Sequence, residues 1–176
     1  MAKAKALVEA LEKSLDFERK GSEFYLKLGI DTKQALAKNL FYNLAKQEID
    51  HIVRIEEIFD AVGRNAPLPT RSARKMEDIE DQMKRTFDKL SESIRTRKLD
   101  NIEAYRLAIE MEEEGYRIYK GFSESATDKG ERQFFLALLE EERAHREALD
   151  NVYYFLTQSK DWFSVEESKV WNWMSI

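Results

Sequence analysis

Apolar residues recur at every third or fourth position along most of the chain, the spacing that lines one face of an α-helix. Leu7, Leu11, Leu15 and Tyr25 share one such stripe and predict a helix over about 5–28. The polar break GIDTKQ offers Gly29 as the end of that helix, and Asp31 with Gln34 as a capping box for the next. Leu40, Leu44, Ile55, Ile58 and Val62 predict the second helix over about 32–62. The loop GRNAPLPT follows, with the chain's two prolines, Pro67 and Pro69. A narrower stripe from Met76 through Met83 and Phe87 to Ile94 predicts a helix over about 72–96. Tyr105, Ala108, Tyr119 and Phe122 predict one over about 101–124. After the turn SATDKGE, Phe135, Leu138, Leu149, Val152 and Leu156 predict the last long helix over about 129–157. Ser164 with Glu167 predicts a short helix in the tail 158–176. Two helical hairpins joined by a long connection, 63–100, imply an all-α four-helix bundle with one helical crossover, in one domain over 1–176.

Titratable residues interrupt these apolar seams. Glu48 and His51 continue the series of Leu40, Leu44, Ile55 and Ile58. Glu142 and His145 continue that of Phe135, Leu138, Leu149 and Val152, and Glu112 lies between Ala108 and Tyr119. A shift of 94 residues relates the two sets: Glu18 falls on Glu112, Gly21 on Gly115, Tyr25 on Tyr119, Glu48 on Glu142 and His51 on His145, without a gap. The chain's only two histidines thus both close a Glu-x-x-His, and a lone Glu precedes each motif by 30 residues. The midpoints of these intervals, Lys33 and Thr127, fall at the two predicted turns. Each lone Glu should therefore lie level with its Glu-x-x-His in an antiparallel hairpin. Positions i and i+3 share a helix face, about 4.5 Å apart along the axis.

Four carboxylates buried together repel one another and resist ionisation. Two divalent cations would offset that. Four Glu and two His, one Glu from each of two helices and Glu-x-x-His from the others, are the donor set of carboxylate-bridged dinuclear bundles. Glu18, Glu48, His51, Glu112, Glu142 and His145 are the candidate ligands, and Tyr25 and Tyr119 stand where hydroxyls could bond the carboxylates. Oxygen and imidazole donors suit two Fe ions, with Mn or redox-inert Zn as alternatives.

Composition narrows the picture further. With 43% apolar and 36% charged residues, the chain favours amphipathic helices over sheet. It has no cysteine, which excludes disulfides, thiolate metal sites and cysteine nucleophiles. A net charge of −5 without a basic block argues against nucleic acid as a partner. The start MAKAKALVEALEK is too charged for a signal peptide, and no apolar run approaches membrane length. The expectation is a soluble, cytoplasmic protein that does not engage a membrane.

The segments ERKGSEFY, QEIDH, EEEGYRIY and EERAH resemble the metal motifs of the ferritin-like diiron-carboxylate proteins, in the rubrerythrin/erythrin branch. The resemblance covers about residues 5–157. It implies a diiron centre with Glu48 and Glu142 bridging, Glu18 and Glu112 terminal, and His51 and His145 each capping one metal. It also implies reaction with peroxide or dioxygen. Rubrerythrins proper carry a four-cysteine rubredoxin-like site, which this chain lacks, so an external electron-donor protein is implied. They also carry an extra Glu one turn beyond the third-helix ligand, where this chain has Gly115. Alternatives are a ferroxidase or iron-handling protein, and a non-enzymatic metal-binding bundle. Glu140 is expected on the surface. The tail with Trp162, Trp171 and Trp173 is expected against the bundle or in a dimer interface, and a homodimer is the expected assembly.

Overall fold

The computed structural model describes residues 2–69 and 102–157. The predicted crossover helix over 72–96 and the Trp-rich tail lie outside the described residues. Four α-helices are described: α1 Ala2–Asp31, α2 Ala35–Gly63, α3 Ile102–Ser125 and α4 Lys129–Thr157. α1 packs along α2 and α3 along α4, and the hairpins meet through α1 with α3 and α2 with α4. This is the predicted all-α four-helix bundle. No described helix is long and apolar enough to cross a membrane.

The helix ends depart from the sequence expectation in instructive ways. Gly29 does not end α1, which continues to Asp31. A Cβ at Gly29 would lie 2.6 Å from the Tyr42 ring, so glycine is needed for close packing between α1 and α2, not for a cap. Asp31 therefore does not cap α2. Gln34 does so itself, its side chain accepting from the Ala37 amide at 2.6 Å. At the far end of α2 the left-handed turn falls on Asn65, φ 52°, a residue type that tolerates that region. Asp128 opens α4, its carboxylate accepting from the Gly130 and Glu131 amides at 2.7 and 3.1 Å.

The core is two apolar clusters with a polar layer between them. One cluster joins Tyr25, Leu40, Phe41, Leu44, Tyr105 and Leu149; the other joins Leu11, Ile55, Ile58, Tyr119, Phe135 and Leu138. α1 and α4 run from the second cluster to the first, and α2 and α3 run the opposite way. α2 and α3 are thus parallel, and the chain between them must connect opposite ends of the bundle. The repeat extends into both clusters. Tyr25 stacks on Phe41 at 6.2 Å between centroids, and their counterparts Tyr119 and Phe135 stack at 6.3 Å.

Phe135 is fully buried, so Phe135→Ala should cost about 3–5 kcal/mol of stability. Urea unfolding of the variant should show a lower midpoint at an unchanged slope. A loss under about 1 kcal/mol would contradict close packing there.

Candidate metal centre

The polar layer forms where all four seams cross the middle of the bundle. α1 contributes Glu18, α2 Glu48 and His51, α3 Glu112, and α4 Glu142 and His145. The structure brings all six together, and each is at most 2% exposed. One face holds Glu and His because i and i+3 are neighbours on a helix, and antiparallel pairing brings the lone glutamates level with them.

The donor atoms form two groups, Glu18–Glu48–His51–Glu142 and Glu48–Glu112–Glu142–His145, each within 4.8 Å. Glu48 and Glu142 belong to both. Glu48 divides its oxygens: Oε2 is 3.4 Å from His51 Nδ1 and Oε1 is 3.1 Å from His145 Nδ1. Glu142 Oε1 is also 3.4 Å from His51 Nδ1. Glu18 Oε2 lies 3.2 Å from His51 Nδ1, and Glu112 Oε2 lies 3.3 Å from His145 Nδ1. These spacings, 3.1–3.4 Å, would let the oxygens and the imidazole nitrogen of each group approach one ion together.

The remaining oxygens are fixed across the repeat. Tyr119 donates to Glu18 Oε1, and Tyr25 donates to Glu112 Oε1. Each lone Glu thereby presents its other oxygen to the centre. Both oxygens of Glu48, both of Glu142, Glu112 Oε2 and His145 Nδ1 are buried without a hydrogen-bond partner. Buried unpaired carboxylate oxygens are costly, and a cation is the partner that would satisfy several at once. The residues therefore fit a pair of metal ions.

The electrostatics are those of a cluster that holds protons in place of cations. Burial pushes the Glu18 carboxyl up to about 8; His51 opposes that rise and Glu48 adds to it. Burial also raises Glu142 well above its usual range, with Glu48 and Glu112 adding. Burial works to lower both histidines, but the facing carboxylates win and raise them well above the usual value. Glu48 moves the other way: burial opposes ionisation, but the neighbouring Glu18 carboxyl and the His145 charge hold it well below its usual range. Burial, then the neighbouring carboxylates, push Tyr25 and Tyr119 far up, so both hydroxyls stay donors.

The two histidines are backed by residues that the periodicity did not single out. His51 Nε2 lies 2.7 Å from Glu141 Oε2, and Arg54 donates to the same oxygen. His145 Nε2 lies 3.1 Å from Gln47 Oε1. Glu140 is exposed and pairs with Arg143, as expected. The usable signal was the residue immediately before each Glu of the Glu-x-x-His, compared across the repeat. The glycines differ too. A Cβ at Gly21 would make ordinary contact with Glu48 at 3.6 Å, but one at Gly115 would collide with Glu142 Oε2 and Phe17.

A family model described as Rubrerythrin matches residues 9–153 and, in a second overlapping stretch, residues 103–171. No curated protein and no solved structure matches the chain.

Two predictions arise from this geometry. Gly21→Ala should be tolerated or raise stability by up to about 1 kcal/mol, and Gly115→Ala should lower stability and divalent-ion binding together. Thermal melts with and without Mn(II) would show it; equal behaviour of the two variants would refute the crowding at Glu142. The second concerns pH. Glu18 is raised from 4.5 to about 8 in the folded state, so the metal-free fold binds protons that the unfolded chain has released. Its stabilising contribution is complete below pH 4.5 and is lost as pH rises to about 8; the raised histidines act in the same direction above their unfolded value. The metal-free melting temperature should therefore fall from pH 5 to 8. Divalent-ion uptake should release protons and tighten over the same range. A flat metal-free profile would contradict the proton-holding cluster.

Proposed function

The chain belongs to the rubrerythrin family, and on that footing we propose that its buried Glu/His layer holds two iron ions and reduces hydrogen peroxide or dioxygen with electrons from a separate donor protein. The observation that carries this reading is the pair of four-residue groups sharing Glu48 and Glu142, with their oxygens left unpaired. A reduced iron pair supplies the electrons and the Lewis acidity such a reaction needs. The donors are carboxylate and imidazole without thiolate, which favours iron or manganese over softer metals.

The protein supplies position, charge and dryness. Glu48 and Glu142 would serve both metal positions; Glu18 and His51 would complete one, and Glu112 and His145 the other. Tyr119 and Tyr25 each occupy one oxygen of a terminal carboxylate and hold it in orientation. The apolar clusters above and below keep bulk water from the layer. Reduction of peroxide to two waters consumes two electrons and two protons. The chain has no cysteine with which to build a thiolate-bound iron relay, which supports a separate donor protein as the electron source.

Protein purified without oxygen should carry about two Fe per chain. Glu48→Ala/Glu142→Ala should lose both, and the reduced wild type should consume peroxide rapidly. Metal content unaffected by the double variant would sink the centre, and two bound irons inert to peroxide and dioxygen would sink the reaction. Tyr25→Phe or Tyr119→Phe should retain the fold but lower metal affinity or turnover about 10–100-fold. Unchanged affinity and rate in both would show that the hydroxyls only fill space.

A further inference from the structure

The two halves of the centre are not equivalent, and the difference lies behind the histidines. Positions 47 and 141 correspond under the 94-residue repeat, as do 54 and 148. The first pair is Gln47 and Glu141; the second is Arg54 and Ala148. Each histidine is backed by the other hairpin. His51 meets Glu141, which Arg54 holds from the outer side; the Glu141 and Arg54 side chains keep only 22% and 14% exposure. His145 meets the neutral amide of Gln47, and Ala148 replaces the arginine. The contact lengths follow the charges: 2.7 Å for His51 to the carboxylate and 3.1 Å for His145 to the amide.

A carboxylate can only accept, so His51 must donate Nε2–H to Glu141 and turn Nδ1 toward the centre. An anionic acceptor on the far nitrogen raises the basicity of the imidazole as a ligand, and a neutral amide does so less. The Arg54 guanidinium fixes the carboxylate in place. From this we propose that Glu141 is a positioning residue that makes the His51 position the tighter of two unequal divalent-cation positions, and that Gln47 leaves the His145 position the one that loads last and empties first. This rests on the metal-centre reading above. It assigns different duties to halves that the repeat would otherwise make alike: a retained ion beside His51 and an exchangeable ion beside His145.

The test is an anaerobic titration of the full metal-free chain with Co(II), followed by calorimetry and by the visible Co(II) bands. The wild type should take up two ions in two resolved steps. Glu141→Gln keeps the shape and removes the charge; it should weaken the tighter step about 10–100-fold and leave the weaker one nearly unchanged. Gln47→Glu should instead strengthen the weaker step. The exchange Gln47→Glu/Glu141→Gln should move the tight position to the other half. His145→Ala would then abolish the tight step, although in the wild-type background it spares it. A structural salt bridge alone would alter the melting temperature but not this order of loading. Two ions bound with Glu141→Gln unchanged, both steps weakened equally, or an exchange variant whose tight step still depends on His51 would overturn the inference alone. No Co(II) uptake by the wild type would overturn the metal-centre reading and this inference with it. Should Glu141→Gln not fold, the Gln47→Glu titration decides: an unstrengthened weaker step overturns the inference.

Discussion

Four carboxylates sealed into one layer of an apolar core are the constraint around which the rest of the bundle is arranged. Helical backbone offers them nothing, because amides in the middle of a helix are already bonded within it. Relief must come from side chains on other helices or from cations. Two tyrosine hydroxyls and two imidazoles provide part of it, and the oxygens left unpaired on Glu48, Glu112 and Glu142 are those a cation would complete. The apolar clusters on either side hold this layer against its own repulsion. The stacked Tyr25–Phe41 and Tyr119–Phe135 pairs tie the hydroxyls that orient the glutamates directly into those clusters.

The pairing across the layer explains why neither hairpin is a site alone. Tyr25 serves Glu112, Tyr119 serves Glu18, Glu141 serves His51, and Gln47 serves His145. Every one of these contacts joins the first hairpin to the second. A duplicated hairpin thus gives two halves of the layer whose supports come from the opposite copy, and a substitution in one copy alters the environment of the other's glutamate or histidine. Glu141 with Arg54 in one half, and Gln47 with Ala148 in the other, are the clearest such divergence. Gly21 and Gly115 are a second: the same residue at matched positions is spare room beside Glu48 and a steric necessity beside Glu142.

The sequence by itself determined the four described helices to within a few residues at each end, the hairpin pairing, and the six residues of the central layer. It could do so because the 3.6-residue period identifies the buried face, and an ungapped repeat with turn-centred midpoints identifies the level on it. The ends of helices were less legible. Gly29 looked like a stop, yet it lies within α1, and only the packing between α1 and α2 shows it against the Tyr42 ring.

What tertiary structure alone decided was the partner of each polar atom. Periodicity shows that Glu142 faces inward, and places Glu140 about 200° around the helix, away from the centre. Glu141, about 100° from Glu142, sits at the edge of the seam, where inward and outward are settled only by how closely α2 approaches α4. That approach puts Glu141 against His51 and Arg54, and it divides the oxygens of Glu48 between the two histidines. A one-dimensional pattern carries the angle of a side chain about its own helix. It does not carry the distance between helices that are far apart in sequence, and that distance determines which atoms meet.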